Sequence, residues 1–163
     1  GTSGGVAEAA VRTAYELVAG VSLSDINVRE LRGVSTHSRE VELDVKGQKI
    51  VIRVVSTINE AEKALQEIKD GVAKFQLLEV MACPGGCVNG GGQPTSRCVL
   101  DIEKRAEGLY REDSELKLRK SQENSEIKKL YEELLEKPGS HKSHELLHTT
   151  YKDCFAGSYR DIK

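Results

Sequence analysis

The sequence has no tryptophan and two phenylalanines, and aromatic residues make up 4% of its 163 positions. Apolar residues reach 38%. A domain of this length hides roughly two-thirds of the surface that its extended chain exposes. So lean a composition leads us to expect a neighbour that completes the core. No apolar run approaches the ~18 residues that a membrane-spanning helix needs. The N-terminus, Gly1 to Gly5, has neither a basic flank nor an apolar h-region, so no signal peptide is legible. An initiator methionine is also absent and the chain opens in mid-motif, as expected of a piece of a longer protein. Neither sign of charge dominates: 24 Lys and Arg stand against 26 Asp and Glu, a formal charge of −2. That balance argues against a nucleic-acid binder, which carries a strong basic excess. Cysteine is sparse as well, at four: Cys83, Cys87, Cys98 and Cys154. A secreted disulfide scaffold is denser and usually shorter. With no secretory signal, these four read as thiols or metal ligands in a cytoplasmic protein.

What is present reads as an α/β fold with a parallel-stranded βαβ core and a C-terminal helical extension. Residues 4–19, GGVAEAAVRTAYELVA, carry Val6, Ala10, Thr13 or Ala14, and Leu17 at helical spacing. Gly20 stands where a left-handed cap belongs. Val41, Leu43 and Val45 alternate with Glu42 and Asp44, a strand with one wet face, and residues 46–48 make a turn. Ile50 to Val55 is a nearly continuous β-branched run, suited to a strand covered on both sides. Asn59 is expected to open a helix with Glu62 as its capping-box partner and Gly71 at its end. FQLLEVM, residues 75–81, reads as the next strand. Strand, helix and strand over 50–81 predict parallel neighbours with a right-handed crossover. The loop that follows then lies at the carboxyl end of a parallel sheet, where α/β folds place ligands. Further on, residues 98–113 read as a helix. Asn124 opens another, SEIKKLYEELLEK, closed by Pro138-Gly139 and striped by Ile127, Leu130, Tyr131, Leu134 and Leu135. KSHELLH makes a short helical turn, and residues 152–163 show no clear pattern.

The chemistry-bearing segment is residues 79–94, Glu-Val-Met-Ala-Cys-Pro-Gly-Gly-Cys-Val-Asn-Gly-Gly-Gly-Gln-Pro. It holds two cysteines four apart and five of the 15 glycines. A thiolate is a soft ligand that selects iron–sulfur clusters, zinc or copper. Glycines let backbone approach a bulky cluster and take left-handed conformations around it. A phosphate cradle is the main rival reading. However, Gly92-Gln93-Pro94 breaks the Walker pattern, and Pro94 interrupts the helix that a dinucleotide fingerprint requires. A chance pair of buried thiols is the other. Two thiolates do not hold a cluster that ordinarily takes four, so further ligands must come from elsewhere. His144 and His148, at i and i+4, suit a metal on one helical face, but no Glu or Cys completes a site there. They read as surface or packing residues. The charge-rich stretch 99–137 reads as solvated helix faces.

As a whole, Glu79 to Pro94 resembles the third H-cluster signature of iron-only (FeFe) hydrogenases residue for residue. Gly1-Thr2-Ser3-Gly4-Gly5-Val6, Glu8-Ala9-Ala10 and Arg12-Thr13-Ala14-Tyr15-Glu16 resemble the family's glycine-rich turn and following helix. Leu118-Arg119-Lys120-Ser121, Glu123-Asn124, residues 127–131 and Ser143 to Thr149 resemble its small-subunit region. Gln122 and Ser125 stand where the family often has His and Pro, at peripheral positions. The family's first signature (Thr-Ser-Cys-Cys-Pro type) and second signature (Met-Pro-Cys…Lys type) are absent.

The resemblance implies a partial domain of the iron hydrogenase fold. Residues 1–113 are then the C-terminal lobe of the H-cluster domain, 114–151 a small-subunit-like helical region, and 152–163 a tail. It implies reversible reduction of protons to hydrogen at an H-cluster, a four-iron four-sulfur subcluster bridged to a two-iron subsite. Cys83 would ligate the four-iron part, Cys87 would bridge the two parts, and Met81 would pack its thioether against the two-iron subsite. Met81 also reads as an ordinary core residue at a strand end. No catalytic proton carrier is expected in this chain, and Cys98 and Cys154 match no family ligand. The implied partners are the N-terminal part of the same domain, an iron–sulfur electron carrier such as ferredoxin or a nicotinamide-linked subunit, and hydrogenase maturation proteins. Two relatives are alternatives: the hydrogenase-like cytosolic iron–sulfur assembly factor, which is not an enzyme, and a hydrogen-sensing protein. The double glycine after Pro84, residues 119–121 and residues 144–149 favour hydrogenase.

Overall fold

A computed structural model describes residues 1–20, 31–34, 37–94 and 98–150. The chain divides into two compact units, Gly1–Lys120 and Ser121–Lys163. The tail, with Cys154, lies outside the described residues.

The first unit is built on a three-stranded sheet in the order β1-β2-β3, with β1 at Arg39–Val45, β2 at Gln48–Ser56 and β3 at Leu77–Met81. β1 and β2 form an antiparallel hairpin, closed at Lys46-Gly47, where both residues take positive φ (53° and 83°). β2 and β3 are parallel, with Ile52 opposite Leu77 and Ser56 opposite Met81. Helix α2, Ile58–Lys69, connects them, so the βαβ unit read from the pattern is present.

The strand–helix alternation produces two cores. Helix α1, Gly5–Ala19, lays Ala7 and Val11 on one sheet face, against Val41, Ile52 and Val54. Leu31 fills the same cluster and is fully buried. On the opposite face Val55 packs with Ala61 and Ala64 of α2, joined by Phe75 and Leu78. Val54 and Val55 are adjacent, so they point to opposite faces. The continuous β-branched run is therefore explained over its second half, where β2 is covered on both sides. At its start, Ile50 and Val51 are only partly buried.

Some boundaries differ from the sequence expectation. α2 starts at Ile58 rather than Asn59, and its cap is Thr57, whose hydroxyl accepts the Glu60 N–H at 3.4 Å. A Thr three residues before Glu60 is itself a capping-box spacing, and it competes locally with the Asn59–Glu62 pair. β3 begins at Leu77, because Gln76 turns its side chain back onto the Val51 N–H at 2.7 Å. α1 closes at Gly20, which adopts φ 70° and donates its N–H to the Glu16 carbonyl at 2.9 Å. Helix α3, Val99–Glu115, completes this unit.

In the second unit, Asn124 caps α4, Ser125–Leu130, by accepting the Glu126 N–H at 2.9 Å. The α-helix expected through Lys137 continues only as a π-helical turn, Tyr131–Leu135, and stops at Glu136, which has φ 66°. Helix α5 spans His141–Leu147.

Candidate metal centre

β3 delivers its last residue, Met81, half-buried, to the carboxyl edge of the sheet. There the Thr57 N–H donates to the Met81 carbonyl at 2.7 Å, so the ends of the two parallel strands are tied. Beyond Met81 the chain turns sharply. The Cys83 carbonyl accepts the Gly86 N–H at 3.0 Å, with Pro84 and Gly85 between them and Gly85 at φ 78°. Proline second and a left-handed glycine third are the signature of a type II turn. A short 3-10 turn, Cys87–Asn89, follows. Cys83 is half-buried and Cys87 exposed.

Both cysteines are held by a close-packed glycine frame. Gly86 has φ 91° and ψ −163°, a region open essentially only to glycine. A Cβ there would fall 2.5 Å from the Ser3 amide nitrogen and 2.9 Å from the Gly1 carbonyl oxygen. Gly90 donates its N–H to the Cys87 carbonyl, and its own would-be Cβ lies 3.4 Å from Cys83 Sγ. Backbone thus approaches the Cys83 sulfur from the Cys87 side of the loop. The Asn89 amide donates to the Pro84 carbonyl at 3.2 Å across the turn. Arg105, on α3, clamps the far side by donating to the Val88 and Pro94 carbonyls at 3.1 and 2.7 Å.

The other wall is the chain start. Ser3 N–H donates to the Gly85 carbonyl at 3.0 Å, and Val88 N–H donates to the Gly1 carbonyl at 3.1 Å. Thr2 and Ser3 are buried, and Ser56 Oγ donates to Ser3 Oγ at 2.8 Å in the interior. This segment is fixed by a residue that the sequence pattern leaves without a structural role. Glu79, on β3, accepts the Gly4 N–H with one carboxylate oxygen and the Ala7 N–H with the other, both at 2.6 Å. Gly4 offers α1 no side-chain cap, so a carboxylate from a distant strand satisfies its first amides and faces the positive end of the helix dipole. No local signal marks this contact, since its partners lie 75 and 72 residues apart.

Next to this wall lies a cleft of about 420 Å³, with Gly1, Glu8, Arg12, Arg32, Tyr110 and Asp113 among its lining residues. Glu8 is 3% exposed and pairs with Arg12 and Arg32. Burial pushes its carboxyl above the usual range, and the two guanidiniums only partly offset this. Asp113 pairs with Arg119 at 2.7 Å and Arg32 at 3.3 Å. Burial opposes its charge, yet Arg119, Arg12 and Arg32 together hold its carboxyl below the usual range. This ion network was not legible from the sequence, where Arg12 and Asp113 carry no pattern that links them.

The structure thus gathers Met81, Cys83 and Cys87 at one sheet edge. Cys98 stands apart, exposed at the N-cap of α3. Among the described residues, no group of three or more His, Cys, Asp and Glu converges as a metal site. Two soft thiols within a loop of glycines fit part of an iron–sulfur ligand set. Among the same residues, no helix is long and apolar enough to cross a membrane.

Residues 1–91 match the family described as iron only hydrogenase large subunit, C-terminal domain, and residues 100–154 match iron hydrogenase small subunit. A subunit of an NADP-reducing hydrogenase from Solidesulfovibrio fructosivorans is 43% identical over 152 residues, which are 93% of this chain and 26% of that protein. A cytosolic iron–sulfur assembly component from Bos taurus is 32% identical over 158 residues, covering 93% of this chain and 31% of that one. Among solved structures, an FeFe-hydrogenase from Chlamydomonas reinhardtii superposes with a TM-score of 0.71 at 35% identity, over 93% of this chain and 45% of that one. The chain therefore spans about a quarter to a third of the curated relatives and under half of the solved one.

Proposed function

Given that the chain belongs to the iron-only hydrogenase family, we propose that it is the C-terminal part of a cytoplasmic hydrogenase catalytic domain. In this reading Cys83 ligates the four-iron subcluster, Cys87 bridges it to the two-iron subsite, and the Met81 thioether packs beside that subsite. The observation that carries the reading is the glycine frame, in which Gly86 and Gly90 bring backbone against Ser3 and against the Cys83 sulfur. When bound, an H-cluster supplies the redox chemistry that interconverts two protons and two electrons with hydrogen. The chain's own residues do the holding. Pro84 and Gly85 set the turn between the thiolates, Glu79 fixes the wall formed by Gly1 to Ser3, and Arg105 fixes the loop's far end. The other thiolates, the proton carrier and the electron entry belong to the rest of the protein. Ferredoxin or a nicotinamide-linked subunit delivers the electrons, and maturation proteins install the cluster. The split into a lobe at 1–113 and a small-subunit-like region at 114–151 is part of the same proposal.

A second reading is favoured by the assembly-component relative at 32% identity. There the same loop carries a cluster and no hydrogen chemistry occurs.

The test is made in the full-length protein, matured anaerobically, with iron content and hydrogen evolution measured together. The parent should evolve hydrogen. Cys83→Ser should retain part of its iron and some activity, because an alkoxide can replace a terminal thiolate. Cys87→Ala should lose essentially all turnover, because anchor and electron path go together, and Cys98→Ala should behave as parent. A parent that binds iron and evolves no hydrogen overturns the hydrogenase reading and favours the assembly-factor one. A Cys87→Ala protein with near-normal turnover refutes the ligand assignment.

A further inference from the structure

α5 is short, and its start is firmly placed. Ser140 Oγ accepts the Ser143 N–H at 3.1 Å and donates to the Leu135 carbonyl at 2.7 Å, and both serines are buried. From that anchored start, His144 N–H bonds the Ser140 carbonyl and His148 N–H bonds the His144 carbonyl. The backbone positions of two exposed histidines one turn apart are thereby fixed.

Their rings meet edge to face, with centroids 4.6 Å apart and planes at 85°. Nδ1 of one lies 3.4 Å from Nδ1 of the other. That separation has a chemical meaning. Zn–N bonds of about 2.0–2.1 Å in tetrahedral geometry place two ligand nitrogens about 3.3–3.4 Å apart.

We propose that His144 and His148 form a two-point site, through their Nδ1 atoms, for a divalent cation of zinc, nickel or copper type. Binding uses the tautomer of each ring that carries its hydrogen on Nε2, so that both Nδ1 lone pairs are available to the cation. Water completes the coordination sphere on the exposed side. The position suits a cation for a second reason: the last carbonyls of a helix carry partial negative charge. The preference for imidazole nitrogen follows the order that puts copper above nickel and zinc. It holds a single ion rather than a cluster.

Zn²⁺ alone is the probe. The full chain is used with Cys83, Cys87, Cys98 and Cys154 replaced by Ser, because free thiols outcompete imidazole for zinc. Calorimetric titration should show one site. His144→Ala and His148→Ala should each weaken it at least about tenfold, the gain that a two-point chelate gives over one ligand. The double variant should show no saturable binding, and His141→Ala should leave affinity unchanged. Circular dichroism checks that each variant folds as the parent. Imidazole nitrogen resonances, read in the unsubstituted chain with zinc in excess of its thiols, should move at Nδ1 of these two rings alone. Absence of saturable binding overturns the proposal, as do single variants that bind like the parent, or coordination through Nε2 or through His141.

Discussion

Gly86→Ala is the sharpest test of how the cysteine loop is held. Two costs follow from the structure. The backbone at φ 91° and ψ −163° lies in a region that a residue with a Cβ enters at about 1–3 kcal/mol. The added methyl would also sit 2.5 Å from the Ser3 nitrogen and 2.8 Å from the Thr2 carbonyl carbon, both main-chain atoms. Backbone cannot rotate away as a flexible side chain can, so overpacking adds about 1–3 kcal/mol. A total of about 2–6 kcal/mol is a large fraction of the 5–15 kcal/mol that folded domains typically hold. At about 2–4 °C per kcal/mol for a chain of this size, the melting temperature should drop by roughly 4–24 °C. Gly91→Ala is the internal control. It lies in the same loop, but nothing approaches its would-be Cβ within 4 Å. Its cost should stay within about 0.5 kcal/mol, as for an ordinary surface substitution. The assay is thermal and urea unfolding of the two variants beside the parent. Equal destabilisation by both would show that glycine matters here through loop flexibility alone, and the close-approach reasoning would fail.

Two other perturbations are direct. Glu79→Ala removes a carboxylate acceptor from the Gly4 and Ala7 amides. Hydrogen bonds to charged groups contribute about 1.5–3 kcal/mol each, so a loss of about 3–6 kcal/mol is expected for the two. Hydrogen exchange should then speed up in the first turn of α1 more than in β1, and uniform acceleration would contradict the capping role. Asp113 is held below its ordinary value by Arg119, Arg12 and Arg32, which together outweigh its burial. The stability it contributes is therefore fully present above the ordinary carboxyl value near ~4 and lost as pH falls through the lower, folded value. Asp113→Asn should flatten the acid limb of the stability profile and leave its slope near neutrality unchanged. A variant with the parent's acid limb would refute the assignment.

The βαβ unit was legible because periodicity switches cleanly there: β-branched alternation, a capped helical stripe, then FQLLEVM. The loop was legible because chemistry concentrates in it. Two thiols, five glycines and Pro84 have few other uses together. Helix ends were less legible, since Thr57 and Asn59 both offer side-chain oxygens and only tertiary context selects Thr57. The π-helical turn at Tyr131–Leu135 has no sequence signature at all. Glu79 belonged to the recognised segment, yet its partners on α1 lie 72 and 75 residues away and no local pattern encodes them. The Glu8 and Asp113 network escaped for the same reason.

That separation bears on the order in which the protein folds. The β1–β2 hairpin closes over a two-residue turn, and β3 joins after one helix. The wall of the cysteine loop forms only when the first residues of the chain meet Glu79 and Gly85. Closing a loop of about 75 residues costs about 4 kcal/mol in chain entropy before any contact offsets it. Docking of α1 is thus a late, long-range event, and mutations at the Glu79 contact should change the unfolding rate more than the folding rate. Until it happens the Cys83 and Cys87 thiols have their turn but not their wall. The hairpin is therefore expected to form before the site does. On the proposed ligand assignment, iron that arrived early would meet two tethered thiols, and iron that arrived late would meet a shaped one-sided cup.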